Sequence, residues 1–167
     1  MGDRIELSPE LPPTRIPVRV LNEMRGHALE TLPEECCGLL VGGKPGHFEE
    51  VYRCRNDMTR LHQQDPVTYP RDGRRAFHMS ELDYARIDRH AAARGGRVTG
   101  VYHSHVEAGA YFSEMDQKFV LDPLFPFPEA EHVVLAVVDG VVREMAAFRW
   151  APDCKRFEGR SVVPEEA

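Results

Sequence analysis

Stretches of helical spacing alternate along the chain with short apolar runs. From Val18 to Leu32, apolar residues recur at Val18, Leu21, Met24, Ala28 and Leu32, the three-and-four spacing of a helix with one buried face. Pro33 cannot continue a helix interior, so the element is expected to stop at about Leu32. Cys36 to Val41 is a short apolar run closed by Gly42-Gly43. With Val51 and Tyr52 beyond a Lys-Pro-Gly turn, it predicts a hairpin or meander. Residues 55–75 carry Asp, Gln, Pro, Arg and Gly without a period and are expected as an extended loop; such a loop inside a small domain is often functional. Ser80 opens a second helix, with Ser80 as N-cap and Asp83 at the capping-box position, and Gly95-Gly96 ends it. Val98 to His105 is β-rich and partly alternating, as a central strand is. A loop over 109–112 follows, and Ser113 starts a third, short helix to about Leu121. After the proline-rich stretch 122–131, two apolar runs flank Asp139-Gly140, the strongest hairpin signal in the chain, and a last strand is expected near 154–163. The interleaving predicts a single α/β (mixed) domain over 1–167: a central mixed β-sheet flanked by helices, with 1–16 as a flexible N-terminal arm.

Composition narrows the function classes. A chain of 167 residues, 42% apolar and 29% charged, suits one ordinary globular core. A net charge of -6 argues against a nucleic-acid partner, which calls for a basic excess. The local basic group Arg71, Arg74 and Arg75 reads as solvated loop charge. No apolar run approaches the roughly 20 residues of a membrane span, and the polar, proline-rich start lacks the apolar stretch of a signal peptide. A cytoplasmic location is expected. The four cysteines form no Cys-x-x-Cys pair, and Cys36 and Cys37 read as small buried hydrophobes.

The chemistry lies in HSHVEAGAYFSEMD, His103 to Asp116. Residues two apart on a strand share a face, so His103 and His105 project together and can both reach one tetrahedral metal. If Ser113 caps a helix, Asp116 lies one turn in, and the intervening loop can fold it back beside the histidines. Two neutral nitrogens and one carboxylate leave a fourth position for water, the donor set of a catalytic zinc site, although iron or cobalt also accepts it. Chance produces this spacing in about one such chain per thousand. His62, His78, His90 and His132 have no ligand spacing and read as surface or structural. A metal-activated water needs a carboxylate base. Glu34 and Glu35 are adjacent, face opposite ways on a strand, and only one can reach the metal; Glu35 stands at the mouth of the apolar run.

These residues together resemble the JAMM motif of the MPN-plus metallopeptidases. The pattern reads Glu35-Cys36-Cys37-Gly38, then His103-Ser104-His105, then Ser113 and Asp116, and the likeness extends over roughly 18–150, including Phe77-His78-Met79. The resemblance implies an MPN/cytidine-deaminase-like architecture, one zinc ion on His103, His105 and Asp116, Glu35 as general base, and Ser113 stabilising the oxyanion. It also implies a substrate: a ubiquitin-like or sulfur-carrier protein cut after its C-terminal Gly-Gly, either a lysine-linked conjugate or a short extension. Its counterparts are a non-catalytic MPN-type binding module for ubiquitin-like proteins and, more distantly, a hydrolase of a small amide. Many relatives have proline after the second histidine and before the serine, where this chain has Val106 and Phe112. A segment near 55–75 pairs with the substrate tail in the family, which makes Asp65, Thr68 and Tyr69 candidate substrate-binding residues.

Overall fold

In the computed structural model, which describes residues 3–166, seven strands form one mixed sheet in the order β1-β7-β6-β5-β4-β2-β3. The strands are β1 (Thr14–Pro17), β2 (Cys37–Gly42), β3 (Glu50–Cys54), β4 (Arg97–Val106), β5 (Glu131–Val138), β6 (Val141–Ala151) and β7 (Arg156–Glu165). The helices are α1 (Val18–Thr31), α2 (Met58–Gln64), α3 (Glu81–Ala93) and α4 (Glu114–Leu121). The β4–β5 and β1–β7 pairs are parallel and the others antiparallel. This is the expected mixed α/β architecture. No described helix is long and apolar enough to cross a membrane.

Two apolar layers cover the two faces of the sheet. On one, Val20, Leu21, Met24 and Ala28 of α1 pack with Cys36, Leu40, Tyr102 and Leu135. On the other, Tyr84, Ile87 and Ala91 of α3 and Val120 of α4 pack with Cys37, Leu39, Val101 and Val134. Strand alternation sorts the residues: Cys37 and Leu39 face one layer, Cys36 and Leu40 the other. The central strand β4 is buried on both faces from Val98 to His105, so its side chains are fixed by packing. The β5–β6 turn places Asp139 at φ 52° and Gly140 at φ 72°, the left-handed pair of a two-residue hairpin.

Several expectations need correction. The helix α1 ends as expected, but its buried stripe starts at Val20, while Val18 in the first turn is exposed. Ser80 caps α3 by accepting from the Leu82 N–H at 3.1 Å, whereas Asp83 turns outward to Arg86 instead of closing a capping box. Part of the expected loop 55–75 is the helix α2; it buries none of its residues, which is why no apolar period marks it. The expected flexible arm is tied down: Ile5 and Phe112 exchange backbone hydrogen bonds at 2.8 and 2.9 Å, Leu7 bridges Gly159, and β1 pairs with β7. Its first two residues lie outside the described residues. Phe112 also explains its departure from the usual proline, because proline has no N–H to give Ile5.

Candidate metal centre

The site assembles from three separated stretches. His103 and His105 are two apart on β4 and project on the α3–α4 side of the sheet, as the alternation requires. Asp116 sits in the first turn of α4. Ser113 caps that helix: its Oγ accepts from the Asp116 N–H, and its own N–H donates to Asp116 Oδ2, both at 3.0 Å. This reciprocal box fixes the carboxylate while leaving its second oxygen free. Strand β2 brings the third element. Cys37 pairs with His103 in the antiparallel register, and the same register continued past the end of β2 sets Glu35 opposite His105 on the same face. Ser104, between the two histidines, holds this segment by accepting from the Cys36 N–H at 2.8 Å.

His103 Nε2 lies 3.3 Å from Asp116 Oδ1, and His105 Nε2 lies 3.2 Å from Asp116 Oδ2. One ligand atom from each of the three residues falls within 4.8 Å of the others. Two donors each about 2.0–2.1 Å from a tetrahedral zinc stand about 3.3–3.4 Å apart, so the spacing suits that ion. Burial is nearly complete: His103 is 0%, Asp116 5% and His105 7% exposed. His103 Nε2 is buried yet has no hydrogen-bond partner, because its approach to Asp116 lacks hydrogen-bond geometry. An orphaned buried nitrogen beside a carboxylate costs stability unless something else bonds it, and a cation does so. The residues therefore fit a metal ion.

The electrostatics agree. Burial lowers the pKa of His103, against the pull of Asp116. For Asp116, burial alone would raise the pKa, but the two imidazoles outweigh it and hold the carboxyl well below the usual range. A ring at His103 pushed toward its neutral form and a carboxyl at Asp116 pushed toward its ionised form both favour metal binding. Each ring is also oriented from behind. His105 Nδ1 faces the Gly109 carbonyl at 2.8 Å, which takes its N–H and leaves Nε2 free as a donor atom to metal. His103 Nδ1 faces His132 Nε2 at 2.8 Å, and Phe77 stacks on the His103 ring at 4.4 Å. His132 is thus a supporting residue that sequence spacing did not single out. Its signal is positional: it pairs with Val101 on the neighbouring strand, two residues before His103.

Glu35 lines a cleft of about 410 Å³ together with His105, Ser113 and Asp116. Burial, reinforced by the charge of Asp116, holds its carboxyl well above the usual range, with Arg71 pulling the other way. Glu34 points elsewhere and accepts from the Thr59 hydroxyl at 2.7 Å. The loop after β3 anchors this segment: Glu35 N–H donates to the Gly73 carbonyl at 2.8 Å, and Asn56 Nδ2 donates to the Glu35 carbonyl at 2.9 Å. Asp65, Thr68 and Tyr69 do not line the cleft. They form a local turn in which the Asp65 carboxylate and carbonyl accept from the N–H groups of Thr68 and Tyr69. The cleft wall in this region comes from Arg71, Arg74 and Arg75, which the sequence presented as ordinary solvated charge.

Comparison with known proteins adds the following. The family profile of the prokaryotic homologs of the JAB domain matches residues 17–151. No curated protein matches the sequence. A solution structure from Desulfitobacterium hafniense is similar, with a TM-score of 0.63 and 21% identity over 92% of this chain and 93% of that one. Another, from Salinibacter ruber, has a TM-score of 0.60 and 26% identity over 90% and 91%. A JAB1/MPN domain protein from Archaeoglobus fulgidus has a TM-score of 0.52 and 14% identity over 92% of this chain and all of its own, a likeness of fold alone.

Proposed function

The chain belongs to the prokaryotic homologs of the JAB domain, and on that premise we propose that it is a zinc-dependent peptidase cutting after the C-terminal Gly-Gly of a ubiquitin-like or sulfur-carrier protein. One observation carries the reading. Two histidines and an aspartate converge at the floor of a cleft that a second carboxylate, Glu35, also lines, and a buried nitrogen of His103 there is left without a partner. His103 Nε2, His105 Nε2 and the Asp116 carboxylate would hold the zinc. When bound, zinc supplies Lewis acidity, bringing the pKa of a water molecule to about 7.

The chain's own groups do the rest. Glu35 takes a proton from the attacking water and delivers it to the amide nitrogen as the carbon–nitrogen bond breaks. Its raised pKa suits both acts, since a more basic carboxylate takes the water's proton more readily and then holds it for delivery to the nitrogen. Water's oxygen ends in the new carboxylate of the carrier, and the departing amine leaves with the transferred proton. Ser113 Oγ already accepts from the Asp116 N–H, so its own O–H is free to donate to the carbonyl oxygen as negative charge gathers there. A cytoplasmic location belongs to the same reading and agrees with free thiols at Cys36, Cys37, Cys54 and Cys154.

The test is hydrolysis of a diglycine carrier bearing a C-terminal extension, followed by mass spectrometry, with zinc content measured in parallel. We expect one zinc per chain and cleavage after the second glycine. Glu35→Gln should keep zinc while losing about 10²–10⁴ in rate, and Asp116→Ala should lose zinc and rate together. Zinc uptake with no hydrolysis would overturn the peptidase and leave a binding module.

A further inference from the structure

The cleft carries three guanidinium groups that hydrolysis itself does not use. Arg71, Arg74 and Arg75 come from the turn between α2 and α3, are exposed, and line the same cleft as Glu35 and His105. The neighbouring Arg55 and Arg60 are paired with Asp57 at 3.3 and 3.6 Å, whereas these three enter no ion pair among the described residues. Unpaired arginines on a protein of net charge -6, gathered at its metal cleft, are not average surface.

The acids in the cleft do not neutralise them. Asp116 faces the two imidazoles and belongs to the metal set. The Glu107 carboxylate is turned to the β5–β6 hairpin, where it accepts from the Asp139 N–H at 2.8 Å. Glu35 is a single buried carboxylate, whose charge is felt by Arg71 among the three, and it takes up a proton in the reaction. What remains is a positive wall made of groups whose planar forks match a carboxylate.

A Gly-Gly tail brings no charge of its own to this wall, because before cleavage its terminal carboxyl is the scissile carbonyl. A carboxylate near the bond must then come from the far side of it. In a lysine-linked conjugate that side is a side-chain amine, which departs as a cation with no adjacent carboxylate. In a linear extension of one residue, the free α-carboxylate follows the departing nitrogen by two bonds. The cleft, at about 410 Å³, lies toward the small end of ligand sites and suits such a short extension.

We propose that Arg71, Arg74 and Arg75 form a carboxylate-binding subsite for the leaving group, so that this site removes a short C-terminal extension bearing a free α-carboxylate. The assignment rests on the peptidase reading for what enters the cleft, and its test is built to fail separately. Zinc-loaded Glu35→Gln protein is titrated by calorimetry with acetyl-Gly-Gly-Ala, with its C-terminal amide, and with acetyl-Gly-Gly-Glu amide. The acid should bind about tenfold tighter than its amide or better. That preference should fall below about threefold in the triple variant R71Q/R74Q/R75Q, which keeps the parent's zinc content because none of the three is a ligand. Glutamate amide should bind like the alanine amide.

Equal binding of acid and amide overturns the subsite. So does a preference that survives the triple substitution, which would mean the carboxylate reaches the metal directly. Glutamate amide binding like the acid overturns the α-carboxylate assignment. Turnover is read apart, on a carrier ending in Gly-Gly-Ala as acid or amide. Equal cleavage of both overturns the subsite alone, while an intact binding preference with no cleavage supports the subsite and counts against the peptidase.

Discussion

Replacing His132 with leucine removes the acceptor that faces His103 Nδ1 at 2.8 Å. To offer Nε2 to a metal, His103 must carry its proton on Nδ1 and donate it to His132 Nε2. His132 then carries its own proton on Nδ1, a buried atom with no partner. Leucine therefore abolishes one buried orphan, at His132, and creates another, at His103. Each costs about 1–3 kcal/mol, so the stability of the metal-free protein should change by no more than about 1 kcal/mol. Metal affinity has no such cancellation. Without its acceptor, His103 in the metal-free protein favours a proton on Nε2, beside Asp116 Oδ1 at 3.3 Å, and binding must reverse that choice. Loss of such a partner weakens metal binding about 10–100-fold, or about 1.4–2.8 kcal/mol. The assay is zinc competition against a chromophoric chelator, beside urea unfolding of the metal-free protein. His132→Gln, whose amide oxygen can accept the Nδ1 proton, should recover most of the affinity. A folded leucine variant with zinc affinity within threefold of the parent would refute the reasoning.

Three further outcomes are expected. Ser113→Ala should cost about 0.5–2 kcal/mol through loss of the α4 cap and about 10²–10³ in turnover; turnover within fivefold of the parent, zinc retained, would remove Ser113 from the mechanism. His27 is held down to about 4, mainly by burial and then by Arg53. The unfolded chain thus binds the extra proton between pH 6.5 and 4, and this contribution is full above 6.5 and lost as pH falls. Urea unfolding of the metal-free protein should show it, and His27→Gln should flatten that slope, while Glu35, shifted upward, acts in the opposite sense. Gly38→Ala would put a methyl group 2.5 Å from the buried ring of Tyr102, whose hydroxyl meets His27 at 2.6 Å. Overpacking of this kind costs about 1–3 kcal/mol, and a melting temperature unchanged from the parent would show that the strand yields freely.

Much of the layout was legible because it is local. The three-and-four spacing over α1, the Ser113 cap before α4 and the Asp139-Gly140 turn are decided by residues within a few positions of one another. The pairing of His103 with His105 is local too, since strand alternation alone puts both on one face. Elements held by distant partners left little trace. The helix α2 buries nothing and so has no pattern to read. The N-terminal segment is fixed by single bridges to Phe112 and Gly159, and β1 by pairing with β7 at the other end of the chain.

The site divides along the same line. The donor set of two histidines and an aspartate, with the cap that fixes the aspartate, was present in the order of residues, because ligand chemistry and spacing on a strand and a helix turn are near-neighbour properties. Family likeness alone favoured Glu35 over Glu34 in the sequence; physically the choice follows from the register of β2 against β4, which a one-residue slip would reverse. The same long-range packing set His132 behind His103 and turned three loop arginines into a wall of the cleft. Register and loop placement follow from burial summed over residues far apart in sequence, and no window along the chain contains that sum.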